Sequence, residues 1–144
     1  LFSYIMNNYW HTNYTAGQSG LVEVRYALHP HGMFNPSDAY RWGVEQNQPL
    51  LLRQVDAAGA ERPTLFTLSS PGVAVTSLKP TEDGKGLMVR LYAASGKPED
   101  FSIAWGAFRP ARVSMSSPAE ERGAAAPGRL ALPAFGILTL RLDR

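Results

Sequence analysis

At 144 residues with 44% apolar composition, the chain is long enough for one domain with a real core and too apolar to be disordered throughout. A formal charge of +2 leaves no basic footprint for nucleic acid or a membrane surface, and no apolar run approaches the roughly 20 residues of a membrane-spanning helix. There is no Cys, which excludes disulfides and thiolate chemistry and leaves the redox compartment open.

The chain opens on a short apolar, strand-like run (Leu1, Phe2, Tyr4, Ile5). It continues directly into Met6-Asn7-Asn8-Tyr9-Trp10-His11-Thr12-Asn13-Tyr14, with three aromatics and three Asn in nine residues. Asn7, Asn8, Trp10, His11, Asn13 and Tyr14 are the candidate functional residues. Ring faces beside amides can line a sugar surface, or they can form a hydrogen-bonded joint against a neighbouring domain. No stretch reads as a signal peptide, and a start at Leu1 inside an apolar run suggests a piece of something longer.

After a flexible turn between Gly17 and Gly20, Val22, Val24, Tyr26 and Leu28 alternate with Glu23, Arg25 and Ala27. That period of two predicts a half-buried strand, stopped at His29-Pro30-His31-Gly32. Asn35-Pro36-Ser37-Asp38 is a helix start, with Asn35 as cap and Pro36 in the first turn. The helix ends at Asn47 and Pro49 and leans on Tyr40 and Trp42 because Gly43 weakens it.

From Leu50 onward the pattern is strands and turns. Residues 50–55, 65–68, 73–78 and 87–92 read as strands, the last two joined through Asp83-Gly84, a hairpin signal. Leu87, Val89 and Leu91 face one way; Met88, Arg90 and Tyr92 face the other. Phe101, Ile103 and Trp105 form one further alternating strand. Residues 108–115 form another, marked as an edge by Pro110. Residues 116–128 show no period and read as a long surface loop. Residues 130–132 and 137–142 close the chain. Seven or more short alternating segments divided by Gly/Pro turns predict an all-β antiparallel sandwich with one short helix, as a single domain over 1–144.

Three stretches resemble the C-terminal β region of glycoside hydrolase family 38, the α-mannosidases. They are Ser3 through Tyr14 followed by Val24-Arg25-Tyr26; Ser77-Leu78-Lys79-Pro80 with Glu82-Asp83-Gly84 and Gly86 through Tyr92; and the closing Ile137-Leu138-Thr139-Leu140-Arg141-Leu142. The resemblance implies a C-terminal fragment of a large glycosidase, a distal sandwich whose partners are the remaining domains of the parent enzyme and an oligosaccharide at the cleft they border. It also implies that zinc and the carboxylate nucleophile sit in an N-terminal α/β domain outside these residues, so that this fragment needs no cofactor and catalyses nothing alone.

The residues themselves agree with that expectation. Retaining hydrolysis needs two carboxyl groups about 5 Å apart across the scissile bond. Here Glu82 with Asp83, Glu99 with Asp100 and Glu120 with Glu121 are neighbours in turns and read as solvated charge. Glu23 and Glu45 are isolated. His29 and His31 are spaced as two strand imidazoles could share a metal, but no clustered third ligand accompanies them. Two other readings stay open: a carbohydrate-binding module, with two or more of Tyr9, Trp10, Tyr14, Trp42 and Trp105 in an exposed platform, and an adhesion sandwich with a large apolar patch.

Overall fold

The computed structural model describes residues 2–8, 12–13, 15–48, 52, 54 and 64–144. The chain divides into two compact units, Leu1–Gly32 and Met33–Arg144. Among the described residues there are one helix and nine strands, every one of them in the second unit, and no helix is long and apolar enough to cross a membrane.

Helix α1 spans Pro36–Asn47. The Asn35 side chain accepts from Ser37 N at 3.0 Å and Asp38 N at 3.4 Å, satisfying two of the amides that a helix start leaves free. Ser37 is buried and Tyr40 and Val44 half-buried at helical spacing, and the Tyr40 ring lies 5.3 Å from that of Tyr92.

The strands are β1 (Phe66–Leu68), β2 (Val73–Pro80), β3 (Gly86–Ala93), β4 (Glu99–Phe101), β5 (Ile103–Trp105), β6 (Arg112–Ser116), β7 (Arg122–Ala125), β8 (Leu130–Leu132) and β9 (Ile137–Asp143). Five make one antiparallel sheet in the order β2-β3-β9-β6-β7; β1 pairs with β5 and β4 with β8. The register places Val89 opposite Leu140 and Leu91 opposite Leu138, and on the other side of β9 Met115 opposite Leu140. One face of the large sheet thus presents Val89, Leu91, Leu138, Leu140 and Leu142. The small sheets supply Phe101, Leu130 and Leu132 to the same core, closed at its margin by Phe66, Ile103 and Trp105. This is the expected all-β sandwich with one short helix. Each fully buried Leu or Phe contributes about 1.5–3 kcal/mol relative to exposure.

Two glycines are fixed by geometry. Gly84, at φ 68°, takes the left-handed position of the β2–β3 turn. A Cβ on Gly86 would come within 2.1 Å of the Leu142 carbonyl oxygen, a backbone atom with no room to retreat.

Several expectations are corrected. Residues 22–28 alternate as a strand should, yet they form none, and all are exposed. Alternation prepares a segment for a sheet, but a strand also needs a partner for its ladder. The run Phe2 to Ile5 is likewise exposed and outside any strand. The stretch from Phe101 to Trp105 is two strands in two sheets, changing over at Ser102, whose amide donates to Ser69 Oγ at 2.9 Å. Pro110 precedes β6 and does not mark an edge: β6 lies between β9 and β7. The edges of this sheet are β2 and β7, and β7 arises inside the expected loop 116–128. The expected strand over 50–55 lies outside the described residues apart from Leu52 and Gln54, neither of which is in a strand.

Candidate functional site

Asn7, Asn8 and Asn13 are exposed in the first unit, and Asn8 Nδ2 lies 3.5 Å from Met6 Sδ. Trp10, His11 and Tyr14 lie outside the described residues. Of the aromatics proposed for an exposed platform, Trp105 packs edge-on to Phe66 at 5.9 Å against the core, and Trp42 is half-buried on the helix. His29 and His31 are exposed, and no three His, Asp or Glu side chains cluster as metal ligands among the described residues.

The second unit carries polar structure that composition did not disclose. A cleft of about 690 Å³ opens between the start of α1 and the turns around Pro71 and Lys97. Its walls carry Phe34, Arg41, Ser70, Ser95, Lys97 and Glu99. Glu99 accepts from the hydroxyls of Ser70 and Ser95, and these two donors, Ser70 foremost, hold its carboxyl below the ordinary range. Ser70 Oγ also accepts from Gly72 N at 3.0 Å. A Cβ on Gly72 would lie 2.1 Å from Glu99 Oε1, so a side chain there would displace the Glu99 carboxylate from this position. Arg41 reaches across to donate to the Pro71 carbonyl.

The outer face of the large sheet holds a second network. Arg141, on β9 and only 7% exposed, donates through Nη2 to Asp83 Oδ2 at 2.6 Å and through Nε to Asp143 Oδ1 at 2.8 Å. Arg122 on β7 also reaches Asp143 Oδ1, at 2.8 Å. The turn binds itself as well: Thr81 Oγ1 donates to Asp83 Oδ1 at 2.7 Å and Lys85 N does so at 3.0 Å. The connection between β6 and β7 carries Glu120, at φ 65°. Its carboxylate meets Lys79 Nζ and accepts from Glu82 N at 3.1 Å, tying this connection to β2 and the β2–β3 turn.

These contacts set the protonation states. The hydrogen bond from Thr81, then that from Arg141, holds Asp83 far below the usual carboxylate range. Arg141, then Arg122, lowers Asp143; Lys79, then the Glu82 amide, lowers Glu120; and Asp83 and Asp143 together raise Arg141. Asp83 and Asp143 do converge, but on a guanidinium that keeps both ionised. A glycosidase pair instead needs one member able to hold a proton near working pH. Asp83, Glu99 and Glu120 were expected to be solvated turn charges, and each is instead hydrogen-bonded to distant parts of the chain. Arg90 lies on β3, half-buried, with Nε 3.4 Å from Thr139 Oγ1.

Residues 72–140, just under half of the chain, match the family model described as the glycosyl hydrolases family 38 C-terminal beta sandwich domain. This region is similar to that domain. The matched span runs from the Gly72 turn to Leu140, taking in β2 through β8 and most of β9; it includes Asp83, Glu99 and Glu120, while Arg41, Ser70, Arg141 and Asp143 lie outside it. No curated protein and no solved structure matches the chain.

Proposed function

We propose that the chain is the non-catalytic C-terminal portion of a larger, α-mannosidase-like glycoside hydrolase. It packs on that enzyme's catalytic and neighbouring β domains and borders the substrate cleft. The observation that carries this reading is the family 38 sandwich match over residues 72–140. The carboxylate states support it: Asp83, Glu99, Glu120 and Asp143 are all held as anions by donors of the fold, which suits structural ion pairs and not proton transfer. In this reading zinc and the nucleophile belong to the remainder of the parent. The stretch from Asn7 to Tyr14 either meets oligosaccharide at the cleft or joins a neighbouring domain.

A second reading, a carbohydrate-binding module, draws on the 690 Å³ cleft, whose hydroxyls, charges and exposed Phe34 ring are the groups a sugar needs. Calorimetric titration with mannose and manno-oligosaccharides at millimolar concentration decides between them. The accessory reading expects heats of dilution alone. Saturable binding abolished by Glu99→Gln would establish the binding module in its place.

A further inference from the structure

Asp83-Gly84 is the one Asp-Gly step in the sequence, and no Asn-Gly step accompanies it. Such a step holds both partners of a reaction. The backbone nitrogen after an aspartate can attack that residue's Cγ, and glycine puts no side chain in the way. An N–Cγ bond forms, the amide proton and the carboxyl OH leave as water, and a five-membered succinimide closes. Water then adds at either imide carbonyl. One product is aspartate again; the other is isoaspartate, whose main chain runs through Cβ and Cγ. The water released is taken up again, so the change needs only solvent.

The turn between β2 and β3 draws both partners away from this course. Gly84 N donates to the Thr81 carbonyl at 2.9 Å, which engages the attacking nitrogen. Asp83 Oδ1 accepts from Thr81 Oγ1 at 2.7 Å and from Lys85 N at 3.0 Å, while Oδ2 accepts from Arg141 Nη2 at 2.6 Å. These donors fix Cγ in place. They also keep the carboxyl ionised, whereas losing its oxygen as water requires a proton on it. Solvent is at hand, since the Asp83 side chain is 43% exposed and Gly84 is exposed too. Thr81 and Lys85 belong to the turn itself, but Arg141 comes from β9, 58 residues further along. The full restraint therefore exists only once β9 is in the sheet.

We propose that Asp83-Gly84 is a site of spontaneous isoaspartate formation, held in check in the folded sandwich by the contacts from Arg141 and Thr81. The product lengthens the turn by one main-chain carbon and moves the carboxylate away from Arg141. It thereby disturbs the end of the β2–β3 ladder, where Pro80 lies opposite Leu87 and Lys79 opposite Met88.

Peptide mapping with electron-transfer fragmentation, which separates isoaspartate from aspartate, tests this after several weeks at neutral pH and body temperature. The native chain, the chain unfolded in guanidinium chloride and folded Arg141→Gln are compared. The unfolded chain should accumulate isoaspartate at Asp83 well ahead of Asp38 and Asp100, which precede Ala39 and Phe101. The native chain should do so more slowly by about tenfold or more, the factor that one hydrogen bond to a charged group is worth. Arg141→Gln should recover most of the unfolded rate; if it does not fold, Thr81→Val, which removes a donor to Oδ1, takes its place. An unfolded chain without isoaspartate at Asp83 would overturn the proposal, and so would equal rates in the native and unfolded chains. A folded variant as slow as the native chain would overturn the role given to these contacts.

Discussion

Leu140→Ala should destabilise the sandwich by about 2–5 kcal/mol. Leu140 is fully buried at the centre of β9, with Val89 opposite it on one side and Met115 on the other. Its facing layer includes Phe101, Leu130 and Leu132 from the small sheets. Truncation removes the apolar side chain from the middle of both layers, and neighbours anchored in two ladders cannot close the space. Equilibrium urea unfolding should show a lowered midpoint at unchanged slope. Leu78→Ala on edge strand β2, where Leu78 is 43% exposed, should change stability by less than about 1 kcal/mol. Equal effects at the two positions would mean that the core is not where β9 puts it.

Acid should weaken the fold through the four tethered carboxylates. Asp83, Glu99, Glu120 and Asp143 have folded pKa values below their ordinary 3.8 or 4.5. Between those values and the folded ones, the unfolded chain binds more protons than the native one, so stability falls as pH falls. The contribution is complete above about pH 5 and is lost progressively from about pH 4.5 downward. The thermal midpoint should therefore be level from pH 7 to 5 and fall as the pH is lowered toward 3. Asp83→Asn gives the sharper check. It should lower the midpoint at pH 7, and its difference from the unaltered protein should shrink as acid protonates Asp83 itself. A difference independent of pH would show that the Asp83–Arg141 contact does not carry the effect.

What could be read from sequence follows from which residues have one face buried. β3 and β9 were legible because Val89, Leu91, Leu138 and Leu140 alternate with residues turned from the core. β7 was not, because Arg122, Gly123, Ala124 and Ala125 are all exposed and small, and no period survives. The division of 101–105 into two strands was hidden for the opposite reason, since the alternation runs through Ser102 unbroken while the hydrogen-bonding partner changes from β8 to β1. The alternation of residues 22–28 was real and the strand was not, because pattern specifies a face and not a partner.

The polar sites were least legible. Asp83 and Arg141 stand 58 residues apart, and Glu99 meets Ser70 across 29, so nothing local distinguished these acids from their solvated neighbours Glu82 and Asp100. Two signals were available in retrospect. Arg141 stands between Leu140 and Leu142 in the closing strand, and a cation buried there demands carboxylates. Gly86 occupies a position that a side chain cannot share, and one at Gly72 would displace the Glu99 carboxylate.

Turnover of an aryl α-mannoside by the purified chain, with and without added zinc, bears most directly on the claim that these residues build and brace a glycosidase without carrying its chemistry. The account predicts the background rate under both conditions. Hydrolysis that follows the chain through purification and disappears in Asp83→Asn or Glu99→Gln would contradict it.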